Sequence, residues 1–113
     1  MATYTIHDTS LRVKYLANSD DYIFRSAERA GYHYSIGDGA GASLASLAYA
    51  YEGTVDNYDQ SFLSQNALDA GFFLLNTAYP ESDLKIVTDE VSVMFMYQNF
   101  LNNPFTFQPV VEF

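Results

Sequence analysis

The 113-residue sequence has no cysteine and no tryptophan, only two histidines, and five basic residues against fourteen acidic ones. The missing cysteines exclude disulfide scaffolds, zinc–cysteine sites, iron–sulfur clusters and cysteine nucleophiles outright. A small secreted domain more often carries disulfide bridges. The opening MATYTIHDTS lacks the basic and apolar stretches of a signal peptide. No long hydrophobic run is present either. The densest, Val91 to Leu101, is interrupted by Ser92, Gln98 and Asn99 and falls short of the roughly 20 apolar residues a spanning helix needs. The cytoplasm is the expected location, a host's cytoplasm if the source is a phage.

Scarcity of base matters more than the sum of charge, which is −9. Up to Arg29 the acids Asp8, Asp20, Asp21 and Glu28 are matched by Arg12, Lys14, Arg25 and Arg29. From Ala30 to Leu84 there is no base, while Asp38, Glu52, Asp56, Asp59, Asp69, Glu81 and Asp83 all carry negative charge. Direct binding to nucleic acid or to anionic membrane is disfavoured, because both depend on Lys and Arg. What is abundant is apolar and aromatic: 49% hydrophobic and 17% Tyr or Phe, enough to build a core and to rule out a disordered chain.

These features predict a small α+β fold comprising residues 1–113 as a single domain, with an N-terminal β-hairpin, two or three helices and a C-terminal edge strand. Tyr4 and Ile6 alternate with Thr3 and Thr5, and Leu11, Val13 and Tyr15 with Arg12 and Lys14, so a hairpin is expected around the turn Asp8-Thr9-Ser10. Asn18, Ser19 and Asp20 offer caps for a helix to about Ala30, stopped by Gly31. Tyr32 to Ile36 reads as extended. Ser43 could cap a helix to about Tyr51, with Leu44, Leu47, Ala48 and Tyr51 inward. Leu63, Ala67, Ala70 and Leu74 have helical spacing, which predicts a helix over 61–79 ended by Pro80. Residues 83–88 read as a strand. Residues 89–103 satisfy both periods, and the helix is preferred with Thr88 as cap and Asp89 and Glu90 in the first turn. Pro109 makes the tail FTFQPVVEF an edge or interrupted strand.

Little of this carries chemistry. Gly37-x-Gly39-x-x-Ala42 resembles a dinucleotide-binding turn, with Asp56 near a ribose-binding position. The chain behind it is too short for a doubly wound domain, its preceding strand is rich in Tyr, and Asp38 would repel phosphate. The Gly37–Gly41 loop therefore reads as structural. His7 and His33 lack metal-ligand spacing, and no serine lies in a G-x-S-x-G elbow. No catalytic residue, metal or cofactor is expected, and the protein is read as a non-enzyme.

The remaining signal is the acidic centre. Glu52, Asp56 and Asp59 have the spacing of one helical stripe, with Tyr49 and Tyr58 beside them, although Gly53 and Asn57 weaken a continuous helix. The first reading is an inhibitor or adaptor of phage or mobile-element type, a DNA mimic. It would dock Asp38, Tyr49, Tyr51, Glu52, Asp56, Tyr58, Asp59 and Asp69 on the basic surface of a nucleic-acid-handling partner. The alternatives are a self-assembling subunit, a homodimer paired through Phe105, Phe107, Val110, Val111 and Phe113, and a small nucleotide-binding module using the glycine loop.

Overall fold

A computed structural model describes residues 2–34 and 46–109. It contains a mixed five-stranded sheet, a two-stranded ribbon and three helices, the small α+β fold expected.

Alternating Thr3–Asp8 and Val13–Asn18 form β1 and β2, antiparallel partners in register from Thr3↔Asn18 to Asp8↔Val13. The expected hairpin is present. Its turn places Arg12 in the left-handed region, at φ 58°. Helix α1 spans Ile23–Arg29, shorter than expected, and begins at Tyr22 without a side-chain cap; the expected caps Asn18, Ser19 and Asp20 lie upstream. Gly31 follows its end with φ 92°, as its position suggested.

Three expectations need correction. Leu47–Glu52 is strand β3, not the end of a helix. The supposed connector contains the short strand β4, Val55–Asp56. The long helix over 61–79 is instead α2 (Gln65–Ala70), strand β5 (Phe72–Leu74) and the short β6 (Tyr79–Pro80). Ser64 caps α2 by accepting from the Ala67 N–H, and Gly71 ends it at φ 113°. An alanine Cβ there would stand 2.7 Å from the Ala50 carbonyl oxygen, so both conformation and space demand glycine.

Leu84–Val87 is strand β7, as expected. The doubly periodic segment is helix α3, Glu90–Asn102. Its cap is Asp89 rather than Thr88: the carboxylate accepts from the Ser92 N–H at 3.1 Å and the Ser92 hydroxyl at 2.8 Å. Residues 103–109 form a turn and an irregular run, so the edge strand is not made by the described part of the tail.

The sheet order is β2-β1-β7-β3-β5. β1 runs parallel to β7, and the other pairs are antiparallel. Both faces are covered. Ile6, Ala48, Phe73, Leu84 and Ile86 pack with Ile23 and Ala27 of α1. Leu47, Tyr49, Phe72, Leu74 and Val87 pack with Ala67 of α2 and with Val93, Met96 and Phe100 of α3. The parity of side chains along β3, β5 and β7 divides them between these two cores.

Candidate functional site

At the end of β1, Asp8 is fully buried on the α1 side of the sheet. Its carboxylate accepts from the Ser10 N–H (3.2 Å) and hydroxyl (2.8 Å), the Leu11 N–H (3.3 Å), the Tyr34 hydroxyl (2.8 Å) and the Thr88 hydroxyl. Tyr34 and Tyr15 share a further contact between hydroxyls at 3.1 Å. Burial first, and then the neighbouring hydroxyl and carboxylate, pushes the Tyr34 phenol above its ordinary range; burial does the same to Tyr15. A carboxylate with so many donors is an anchor tying the hairpin turn to the entries of two other segments.

The acidic residues do not form a helical stripe. Glu52 ends β3, Asp56 lies on β4 and Asp59 on the following turn. Glu52 is exposed and pairs with Lys85 across the β3–β7 ladder at 3.5 Å. Asp59 accepts from the hydroxyls of Tyr22 (2.8 Å) and Tyr79 (2.9 Å), whose rings stand 4.7 Å apart. Hydrogen bonding with Tyr22, and next with Asp59, raises the Tyr79 pKa above its ordinary value. Asp56 accepts from the Tyr58 N–H at 2.9 Å and is brought together with Asp69. With Glu81, these two line an open groove of about 440 Å³ that also touches Asn57, Tyr58 and Gln65. Tyr58 is 90% exposed at its edge.

Other expected contact residues fall elsewhere. Tyr49 is buried against Phe72, and half-buried Tyr51 donates to the Thr9 hydroxyl at 3.1 Å. Of the tail, Phe105 is exposed, whereas Phe107 packs on Tyr49, Phe72 and Phe100. Asp38, the Gly37–Gly41 loop, Val110, Val111 and Phe113 lie outside the described residues. Glu81 was not singled out in the sequence, because a turn joining β6 to β7 sets its neighbours, not a local period. Among the described residues no group of three or more His, Asp or Glu is placed to hold a metal ion. No helix among them is long and apolar enough to cross a membrane.

No family model matches the chain. It is 31% identical over 84 residues to Ferredoxin-2 of Synechococcus sp. (strain ATCC 27144 / PCC 6301 / SAUG 1402/1), covering 74% of this chain and 80% of that protein. The chain belongs to the ferredoxin family. Ferredoxin-2 of Leptolyngbya boryana is 28% identical over 94 residues, covering 80% of the chain and 95% of the relative. A crystal structure of pectocin M2 superposes with a TM-score of 0.76 at 28% identity over 89% of the chain. The chain spans only 40% of that larger molecule. The ferredoxin reductase in carbazole 1,9a-dioxygenase, at TM-score 0.61 and 18% identity, shares the fold.

Ferredoxins are electron carriers, not enzymes. This kinship overturns the DNA-mimic inhibitor of phage type and its nucleic-acid-handling partner. Composition reported the acidity correctly but could not report descent.

The family implies a [2Fe–2S] cluster, which in plant-type ferredoxins is held by four cysteine thiolates in a C-x₄-C-x₂-C…C arrangement. The residues present do not fit it. The chain has no cysteine, and its sulfur is confined to three methionines. A Rieske arrangement would also need two cysteines beside two histidines. Beside the undescribed 35–45 segment, the buried Ser46 hydroxyl donates to Asn76 Oδ1 at 3.0 Å. Asn76 Nδ2 and the Thr77 hydroxyl are buried without a partner among the described residues. These groups are neutral and suit a bound water, not ferric iron.

Proposed function

We propose that this chain is a ferredoxin-family docking module: it engages proteins that bind ferredoxins, by shape and charge, and carries no electron itself. The observation that carries the reading is a ferredoxin relationship spanning most of the chain in a sequence with no thiolate. The partner class is a ferredoxin reductase or another protein with a ferredoxin-binding face, met in the cytoplasm. On this reading the chain catalyses nothing.

The groove of Asp56, Asp69 and Glu81, with Tyr58 at its edge, supports the proposal by its chemistry. Exposed carboxylates speed encounter with a Lys- or Arg-rich surface and repel acidic competitors. Tyrosine adds rigid contact area at low entropic cost.

The test is competition. A ferredoxin reductase is titrated with its own cluster-loaded ferredoxin in the presence of this chain, and binding is read by calorimetry. The chain should displace the ferredoxin, and Asp69→Lys with Glu81→Lys should weaken displacement tenfold or more while circular dichroism stays unchanged; about 1.4 kcal/mol corresponds to tenfold. No displacement by the unaltered chain at low salt would overturn the proposal.

A further inference from the structure

We infer that this chain is a redox-silent ferredoxin, whose fold is complete without a cluster and is indifferent to iron. The inference deepens the proposed function, resting on its statement that the chain carries no electron, and concerns the chain's own chemistry, not its docking.

The first argument is ligand supply. The Leptolyngbya match runs over 95% of that ferredoxin. The missing thiolates therefore do not reflect a match to some cluster-free fragment of a ferredoxin. Methionine cannot substitute. A thioether is neutral, whereas thiolates offset the charge of the irons they hold. Met94 and Met96, two residues apart on α3, differ in setting: Met96 is buried against the second core and Met94 is half-buried at a cleft beside Leu11. The two imidazoles are separated as well, His7 on β1 between Lys14 and Lys85, and His33 beyond the end of α1.

The second argument is what holds the fold at the two ends of the 35–45 segment. On one side, the Leu75 N–H donates to the Ser46 carbonyl at 2.9 Å, extending the β3–β5 ladder, and Ser46 then meets Asn76. On the other, Tyr34 is fastened to Asp8, which also holds Thr88. Both ends are secured by protein–protein hydrogen bonds within the sheet and its core. A domain that draws its folding energy from metal loses it to a chelator; one closed in this way has nothing to lose.

Third, neutrality at Asn76 and Thr77 suits the absence of a cluster. Their buried donors lack a partner among the described residues and would suit a water, which needs only a few polar partners.

The experiment uses the whole chain. Iron and acid-labile sulfide are assayed after purification and again after anaerobic incubation with ferrous iron, sulfide and a thiol. Visible absorption, electron paramagnetic resonance and thermal melting are recorded in parallel, with and without a chelator. The expected result is no stoichiometric iron, no charge-transfer band, and a melting temperature unmoved by iron or chelator. A reduced flavin reductase mixed with the chain should likewise remain reduced. Stoichiometric iron and sulfide, a reversible redox signal, or a melting temperature raised by iron would overturn the inference. Its failure is read in spectra and metal content, whereas failure of docking is read in displacement of a genuine ferredoxin, so the two are distinguishable.

Discussion

Asp8 shows how much one residue can organise. Its neighbours in sequence, Thr9 and Ser10, look like ordinary turn residues, and a surface aspartate is the natural expectation there. The structure buries it completely because β1 directs it to the α1 side, where Tyr34 and Thr88 supply hydroxyls and Tyr15 backs Tyr34. Residues 26 and 80 positions distant provide two of those donors, so a reading confined to local spacing has no access to them. Asp8→Asn keeps the size but replaces one acceptor oxygen with a donor facing other donors. It should destabilise the fold by about 3 kcal/mol, the scale of a lost charge-assisted bond plus an unsatisfied partner. Urea unfolding should show this as a lowered midpoint with an unchanged slope. A variant as stable as the parent would mean the hub is dispensable.

At the scale of elements, legibility followed exposure. The hairpin alternates because one of its faces is wetter than the other, with Thr3, Thr5, Lys14 and Leu16 outward against Ile6, Tyr15 and Ala17 inward. β3 and β5 are covered on both faces, so their apolar residues run on without alternation and imitate helix spacing at Leu47, Ala48 and Tyr51. Leu63, Ala67, Ala70 and Leu74 deceive in the same way: only the middle two lie in α2, and Leu74 belongs to β5. Gly71 was the available signal for a break. Its substitution by alanine imposes a left-handed backbone on a β-carbon and pushes that carbon into the Ala50 carbonyl and the Tyr49 ring. Gly71→Ala should cost about 3 kcal/mol, combining backbone strain with overpacking. Gly31→Ala, at φ 92° but with nothing within 4 Å, should cost less. Equal losses in chemical denaturation would show that space around Gly71 is irrelevant.

For the whole molecule, the charge balance was readable and the family was not. Acidity and the lack of cysteine are properties of composition, whereas kinship with ferredoxins resides in similarity dispersed over most of the chain, without the cysteine pattern that would announce it. The expected acidic face was only partly legible for a related reason: Asp56, Asp69 and Glu81 converge through β4, α2 and the turn after β6, not through one helix. Charge now acts on two properties in opposite directions. Nine net negative charges oppose compaction by mutual repulsion. Among the described residues the ion pairs are Arg29–Asp21, with an exposed arginine and a half-buried aspartate, and Lys85–Glu52, exposed on both sides; pairs with an exposed partner contribute little. Adding salt should therefore relieve more repulsion than attraction and raise the melting temperature slightly. Docking on a basic surface should weaken over the same range, mainly through a slower association rate, because the Debye length falls to about 8 Å by 0.15 M. Thermal melts and stopped-flow association with a ferredoxin reductase, measured across one salt series, should move apart. Association insensitive to salt while the melting temperature rises would mean that the carboxylates only keep the chain dispersed and that any docking is apolar.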